Sequence, residues 1–138
     1  MGDKDIRWEQ RFSNYQKAVN KISEVVEKLK LEELTELEVE GLIQRFEYTY
    51  ELAWKTLQDL FKHQEYIGIT GPGPVLDQAF KDGLIEDAEG WRRLKKSREL
   101  TSHTYDSRTA EAIAEEVVEN YYLLFKRLED NLIKLKSK

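Results

Sequence analysis

Apolar residues recur at spacings of three and four along most of this chain, and no segment alternates with period two. Phe12, Tyr15, Val19, Ile22, Val26 and Leu29 predict a first helix from about Asp5 to Lys30. A second stripe, Val39, Leu42, Phe46, Tyr50, Trp54 (or Ala53), Leu57 and Phe61, predicts a helix from about Glu36 to Gln64. Thr35 followed by Glu38 resembles a capping box at its start. Gly41 weakens that helix locally, by about 1 kcal/mol relative to alanine. The periodicity then breaks at Gly68, Gly71, Pro72, Gly73 and Pro74, the only Pro/Gly cluster in the chain. A short helix from Pro74 to Asp82 follows, with Gly83 just past its end. Another covers Asp87 to Thr101. The last runs from about Ser107 to Lys136 on the stripe Ile113, Val117, Tyr121, Leu124, Leu128 and Leu132. The expected fold is all-α: one domain over residues 1–138, an antiparallel up-and-down four-helix bundle with an extra short helix in the crossover. Trp8 and Tyr122 fall beside these stripes, and as exposed aromatics they would mark a partner surface.

The chain has 138 residues, enough for a core without staples. Its 36% charged residues suit long helices with one wet face. There is no Cys, which excludes disulfides and thiolate metal sites and agrees with a reducing, cytoplasmic setting. No apolar run approaches the roughly 20 residues of a membrane span, and Met1 to Gln10 is too polar for a signal peptide. The net charge of −5 argues against a general nucleic-acid binder. The distribution changes the picture. Residues 91–98 hold five cations and no acid, so the remainder of the chain carries −10.

The glycine cluster lacks Gly-Lys-Ser/Thr and follows no strand, so it is a bend rather than a phosphate loop. His63 and His103 stand forty residues apart with no second histidine at helical spacing, and no Glu-x-x-His pattern is present. No metal and no cofactor is expected. His63, beside Lys62 near a helix end, suits the helix dipole there.

The segment Trp91 to Asp106, WRRLKKSRELTSHTYD, carries the candidate chemistry. Trp91, Leu94 and Arg98 share one helical face, so Arg98 follows the apolar stripe inward while Arg92, Lys95, Lys96 and Glu99 point elsewhere. An inward arginine needs a carboxylate, with Glu47 or Glu51 one turn apart on the second helix as partners, or it awaits a ligand's phosphate. Thr101 and Ser102 favour the end of the helix. His103 and Tyr105 then fall in a turn, before Asp106 or Ser107 as the next N-cap. Arginine can neutralise a phosphodiester and histidine can move protons near pH 7.

Arg98-Glu-Leu-Thr-Ser-His103-Thr-Tyr105 resembles the R-x4-H-x-Y signature of HEPN-domain proteins. Together with Ile43 to Trp54 and Ala79 to Ile85, in the same order, it looks closest to the nucleotidyltransferase substrate-binding protein branch, related to the HepT toxins. The resemblance implies a dimeric helical bundle that acts beside a small nucleotidyltransferase. It implies a metal-independent ribonuclease site in which Arg98 stabilises the phosphate and His103 is the general acid and base. It makes Tyr105 the residue that accepts AMP from the partner, silencing the toxin. Glu47, Glu51, Glu99 and Ser102 are the expected supporting residues. Many such motifs carry Asn, Asp or Ser after the arginine, where this chain has Glu99, a carboxylate able to pair with Arg98 or repel RNA. Two alternatives therefore stand beside the ribonuclease. One is a non-catalytic binding subunit of the nucleotidyltransferase. The other is an inert interaction domain in which Arg98 only pairs with Glu47 or Glu51.

Overall fold

The computed structural model describes residues 6–28, 33–103 and 106–138, with the side chains of Lys28 and His103 outside that description. The helices are α1 (Arg7–Lys28), α2 (Glu36–His63), α3 (Pro72–Lys81), α4 (Ala88–Leu100), α5 (Ser107–Glu116) and α6 (Tyr122–Lys136). A single π turn, Val117–Tyr121, joins α5 to α6. No strand occurs among the described residues.

Sequence chemistry sets the helix ends. Thr35 accepts from the Glu38 backbone N–H at 3.1 Å and Glu38 reciprocates at 2.9 Å, the expected capping box. Asp87 caps α4 and Asp106 caps α5 through side-chain oxygens. α3 begins two residues earlier than the sequence suggests, at Pro72. The first N–H groups of a helix have no intrahelical acceptor, so neither Pro72 nor Pro74 removes a bond there. Gly71, with φ +84°, makes the reversal before it, and its N–H is held by Gln58 Oε1 at 2.9 Å.

Cross-helix bonds give the directions. Arg11 meets Asp59 at 2.7 Å, while Arg45 donates to the Lys21 carbonyl at 2.7 Å, so α1 and α2 are antiparallel. Tyr15 donates to the Phe125 carbonyl and Tyr122 to Ser23, so α6 runs back along α1. Tyr121 reaches Ser97 and Trp91 packs on Phe125, which sets α4 antiparallel to the last rod. The four-helix bundle with a short crossover helix is therefore present as expected. At its centre the Phe125 ring meets Tyr15 of α1, Phe46 of α2 and Trp91 of α4 at centroid distances of 6.3, 6.2 and 5.9 Å.

Two expectations are corrected. Trp8 is not a surface aromatic: it is 4% exposed and stacks on Phe12. It precedes Phe12 by four residues and so extends the α1 stripe by one turn. Tyr122 is likewise buried. The π turn adds a residue to its cycle, so Tyr121 and Tyr122 both turn inward, one toward α4 and the other toward α1. Among the described residues no helix is long and apolar enough to cross a membrane.

Candidate functional site

Arg98 sits in the last turn of α4 on the face begun by Trp91 and Leu94, both buried. That face delivers its guanidinium to α2. Nη1 lies 3.2 Å from Glu47 Oε2, and Nε lies 3.8 Å from Glu51 Oε1. Glu47 and Glu51 are one turn apart, so their carboxylates cradle the guanidinium from two sides, Glu47 at Nη1 and Glu51 near Nε. Nη1 also donates to Thr101 Oγ1 at 2.9 Å. The Thr101 hydroxyl lies 2.9 Å from Glu47 Oε2 and 2.6 Å from the Arg98 carbonyl, and it is buried. It therefore links the arginine, its carboxylate and the end of α4. Glu51 is fixed in turn, since its Oε2 accepts from Trp54 Nε1 at 2.9 Å.

The cluster is half-wet. The side chains of Arg98, Glu47 and Glu51 are 31%, 32% and 35% exposed. Solvent screening limits each pair to about 1 kcal/mol or less. Nε is buried without a hydrogen bond, because 3.8 Å is too long for one. Nη2 makes no hydrogen bond among the described residues, which leaves donors on the guanidinium for an incoming oxygen. Close by, the Tyr50 hydroxyl is also buried without a partner among the described residues. Burial, followed by the charges of Glu51 and Glu99, pushes its pKa well above the ordinary phenol value, with Arg98 opposing. Tyr50 is thus a neutral phenol beside the arginine at any ordinary pH.

The other expected site residues divide. Glu99 does not pair with Arg98; it projects into solvent and takes Lys95 at 3.0 Å, one turn back on α4. Ser102 is exposed and donates to the Glu99 carbonyl at 3.1 Å. The backbone of His103 closes a 3₁₀ turn, Thr101–His103, that continues directly from α4. Its side chain, and Tyr105 entirely, lie outside the described residues. Thr101, in the sequence only a helix terminator, and Tyr50, in the sequence only a core residue, both join the site. A hydroxyl three residues after an inward arginine is the available signal for Thr101.

The model of the family described as nucleotidyltransferase substrate binding protein like matches residues 10–134. The chain belongs to this family. Among curated relatives, a Haemophilus influenzae protein named "Probable ribonuclease HepT" is 35% identical over 95 residues. The match takes in 62% of this chain and spans 64% of that relative's length. A solved structure from Thermus thermophilus superposes with a TM-score of 0.76 at 31% identity, covering 86% of this chain and 98% of that one. A Haemophilus influenzae structure, described as revealing the fold of a substrate-binding domain of a nucleotidyltransferase, gives 0.64 at 26% identity and covers 91% and 96%. These two likenesses place the family's all-helical fold over nearly the whole of the chain.

Proposed function

We propose that this chain is the partner subunit of a small nucleotidyltransferase and that Arg98 and His103 form a metal-independent ribonuclease pair. The observation that supports it is the half-anchored guanidinium. One edge of Arg98 is oriented by Glu47 and Thr101, and other donors stay uncommitted at the start of the turn that carries His103. A pre-oriented arginine stabilises the charge that builds on a phosphoryl oxygen with little reorganisation. His103 takes the proton from a ribose 2′-hydroxyl as its oxygen bonds to phosphorus. It returns a proton to the departing 5′-oxygen, leaving a 2′,3′-cyclic phosphate. Tyr105 is the acceptor of AMP: its phenol oxygen attacks the α-phosphorus of ATP on the partner enzyme, and pyrophosphate leaves. The name of the HepT relative favours the ribonuclease chemistry. The subunit works as a homodimer in the cytoplasm. Leu37, Tyr48, Ile67 and Leu123, each more than half exposed, are the apolar surface available to a second copy or to the enzyme.

A second reading has its own support. Two carboxylates face one guanidinium, so the cradle carries a net negative charge that opposes a phosphate. That balance favours a binding subunit that cleaves nothing. Incubation of the purified chain with RNA in EDTA separates the two. The ribonuclease reading expects fragments ending in 2′,3′-cyclic phosphate, lost in Arg98→Ala. Intact RNA, together with tight binding to the nucleotidyltransferase and no added AMP mass on Tyr105, would replace it by the binding subunit.

A further inference from the structure

The cations of the basic segment meet different fates. Arg92, Lys95 and Arg98 are each tied to a carboxylate, at 3.3 Å from Glu89, 3.0 Å from Glu99 and 3.2 Å from Glu47. Arg93 and Lys96 have no carboxylate partner among the described residues. These two do not point into the cradle. They line an open groove of about 470 Å³ between α4 and α5, where Arg108 joins them from the other wall. The Arg108 side chain is likewise without a carboxylate among the described residues, and only its backbone N–H is engaged, by Asp106. The acid that lines the groove, Glu116, accepts from Asn120 at 2.9 Å. Leu100 and Ile113 supply an apolar floor, and the Ser97–Tyr121 hydrogen bond of 2.7 Å closes it below. Leu100 and Arg108 flank residues 101–106, so the groove adjoins the turn that holds His103.

We infer that this groove binds the sugar–phosphate backbone of single-stranded RNA, leading the strand to the Arg98 site from the opposite face of α4. The inference rests on the ribonuclease reading for its substrate but stands on its own geometry. Unpaired cations on both walls of an open cleft match a chain of phosphates, and an apolar floor accepts a base or ribose face. Charge complementarity selects this cleft over the rest of the surface, since the chain outside residues 91–98 carries −10. Two other grooves carry cations. Between α1 and α2, with Lys17 and Lys21, Arg45 is paired with Glu24 at 3.9 Å and donates to the Lys21 carbonyl. Between α3 and α4, Lys81 shares the lining with Asp77 while Arg92 and Lys95 are paired with Glu89 and Glu99.

The test is fluorescence anisotropy with a labelled oligouridylate of about fifteen nucleotides, long enough for one groove. Every protein carries His103→Ala so that the probe stays intact. Arg93→Ala/Lys96→Ala/Arg108→Ala is expected to weaken binding by about tenfold or more. It should also flatten the dependence of log affinity on log salt by about two, the share of three phosphate contacts on a single strand. Lys17→Ala/Lys21→Ala should leave affinity within about twofold, as expected of charges that touch no phosphate. Unchanged RNA affinity in the triple variant overturns the inference, as does an equal loss in both variants or no RNA binding by the parent. Conversion of a dimer to monomer with RNA binding intact also overturns it and makes the groove a subunit contact. Cleavage, assayed separately in chains that keep His103, distinguishes the two proposals. A chain that binds through the groove but cuts nothing loses the ribonuclease reading alone. A chain that cuts as well with the triple substitution as without it loses the groove alone.

Discussion

Thr101 is the residue on which the arginine's placement turns. Its hydroxyl bridges Arg98, Glu47 and the α4 carbonyl while buried at 6% exposure. Thr101→Val keeps the shape and removes the bridge. Because Glu47 can recover water, the expected cost is about 1 kcal/mol in urea unfolding. RNA cleavage should fall by much more than that destabilisation explains; equal activity would make Thr101 a mere cap. The tyrosines give a pH prediction. Burial raises the pKa of both Tyr15 and Tyr50 above the ordinary 10.0. A folded-state pKa above the unfolded one stabilises the fold below pH 10, and this contribution is lost as pH rises beyond it. Phenolate absorbance from Tyr15 and Tyr50 should therefore appear only with unfolding, and buried Tyr121 is raised in the same direction. A single smooth titration of all seven would contradict the burial. At this scale the inward turn of Arg98 was legible, because Trp91 and Leu94 precede it on one face. The Thr101 bridge was not, since it depends on which α2 side chain stands opposite.

The element that departs from its expected form is the last helix. A stripe read at 3.6 residues per turn passes through Val117, Tyr121, Leu124 and Leu128 with or without an inserted residue, so the π turn left no mark on the pattern. Its effect is in the packing: it brings Tyr121 to Ser97, Tyr122 to Ser23 and Phe125 to the centre of the bundle together. Deleting Glu119 should restore plain α-helix and rotate one of these rings out. The expected loss is about 3–5 kcal/mol, the scale of removing a buried aromatic. Urea denaturation checks it; wild-type stability would show that the π turn is dispensable. Helix starts were readable to within two residues where caps announce them, as at Thr35, Asp87 and Asp106. Pro72 escaped because two prolines near one helix start leave the choice of first residue open.

For the whole molecule, an acidic bundle presents one basic segment whose two faces do different work. One face anchors Arg98 against α2, and the other offers unpaired cations to a groove beside the same turn. The fold class and the family were open to a reading of stripes and motif blocks, and the match over residues 10–134 agrees. The division of the basic segment was not, because which cations are neutralised depends on helix–helix geometry. The measurement closest to the central claim compares RNA cleavage in EDTA by the wild-type chain and by His103→Ala. The account predicts a rate lower by about 10²–10⁴-fold in the variant, the usual contribution of a general acid–base group. Cleavage at the wild-type rate by His103→Ala, in protein that folds and binds RNA normally, would contradict it.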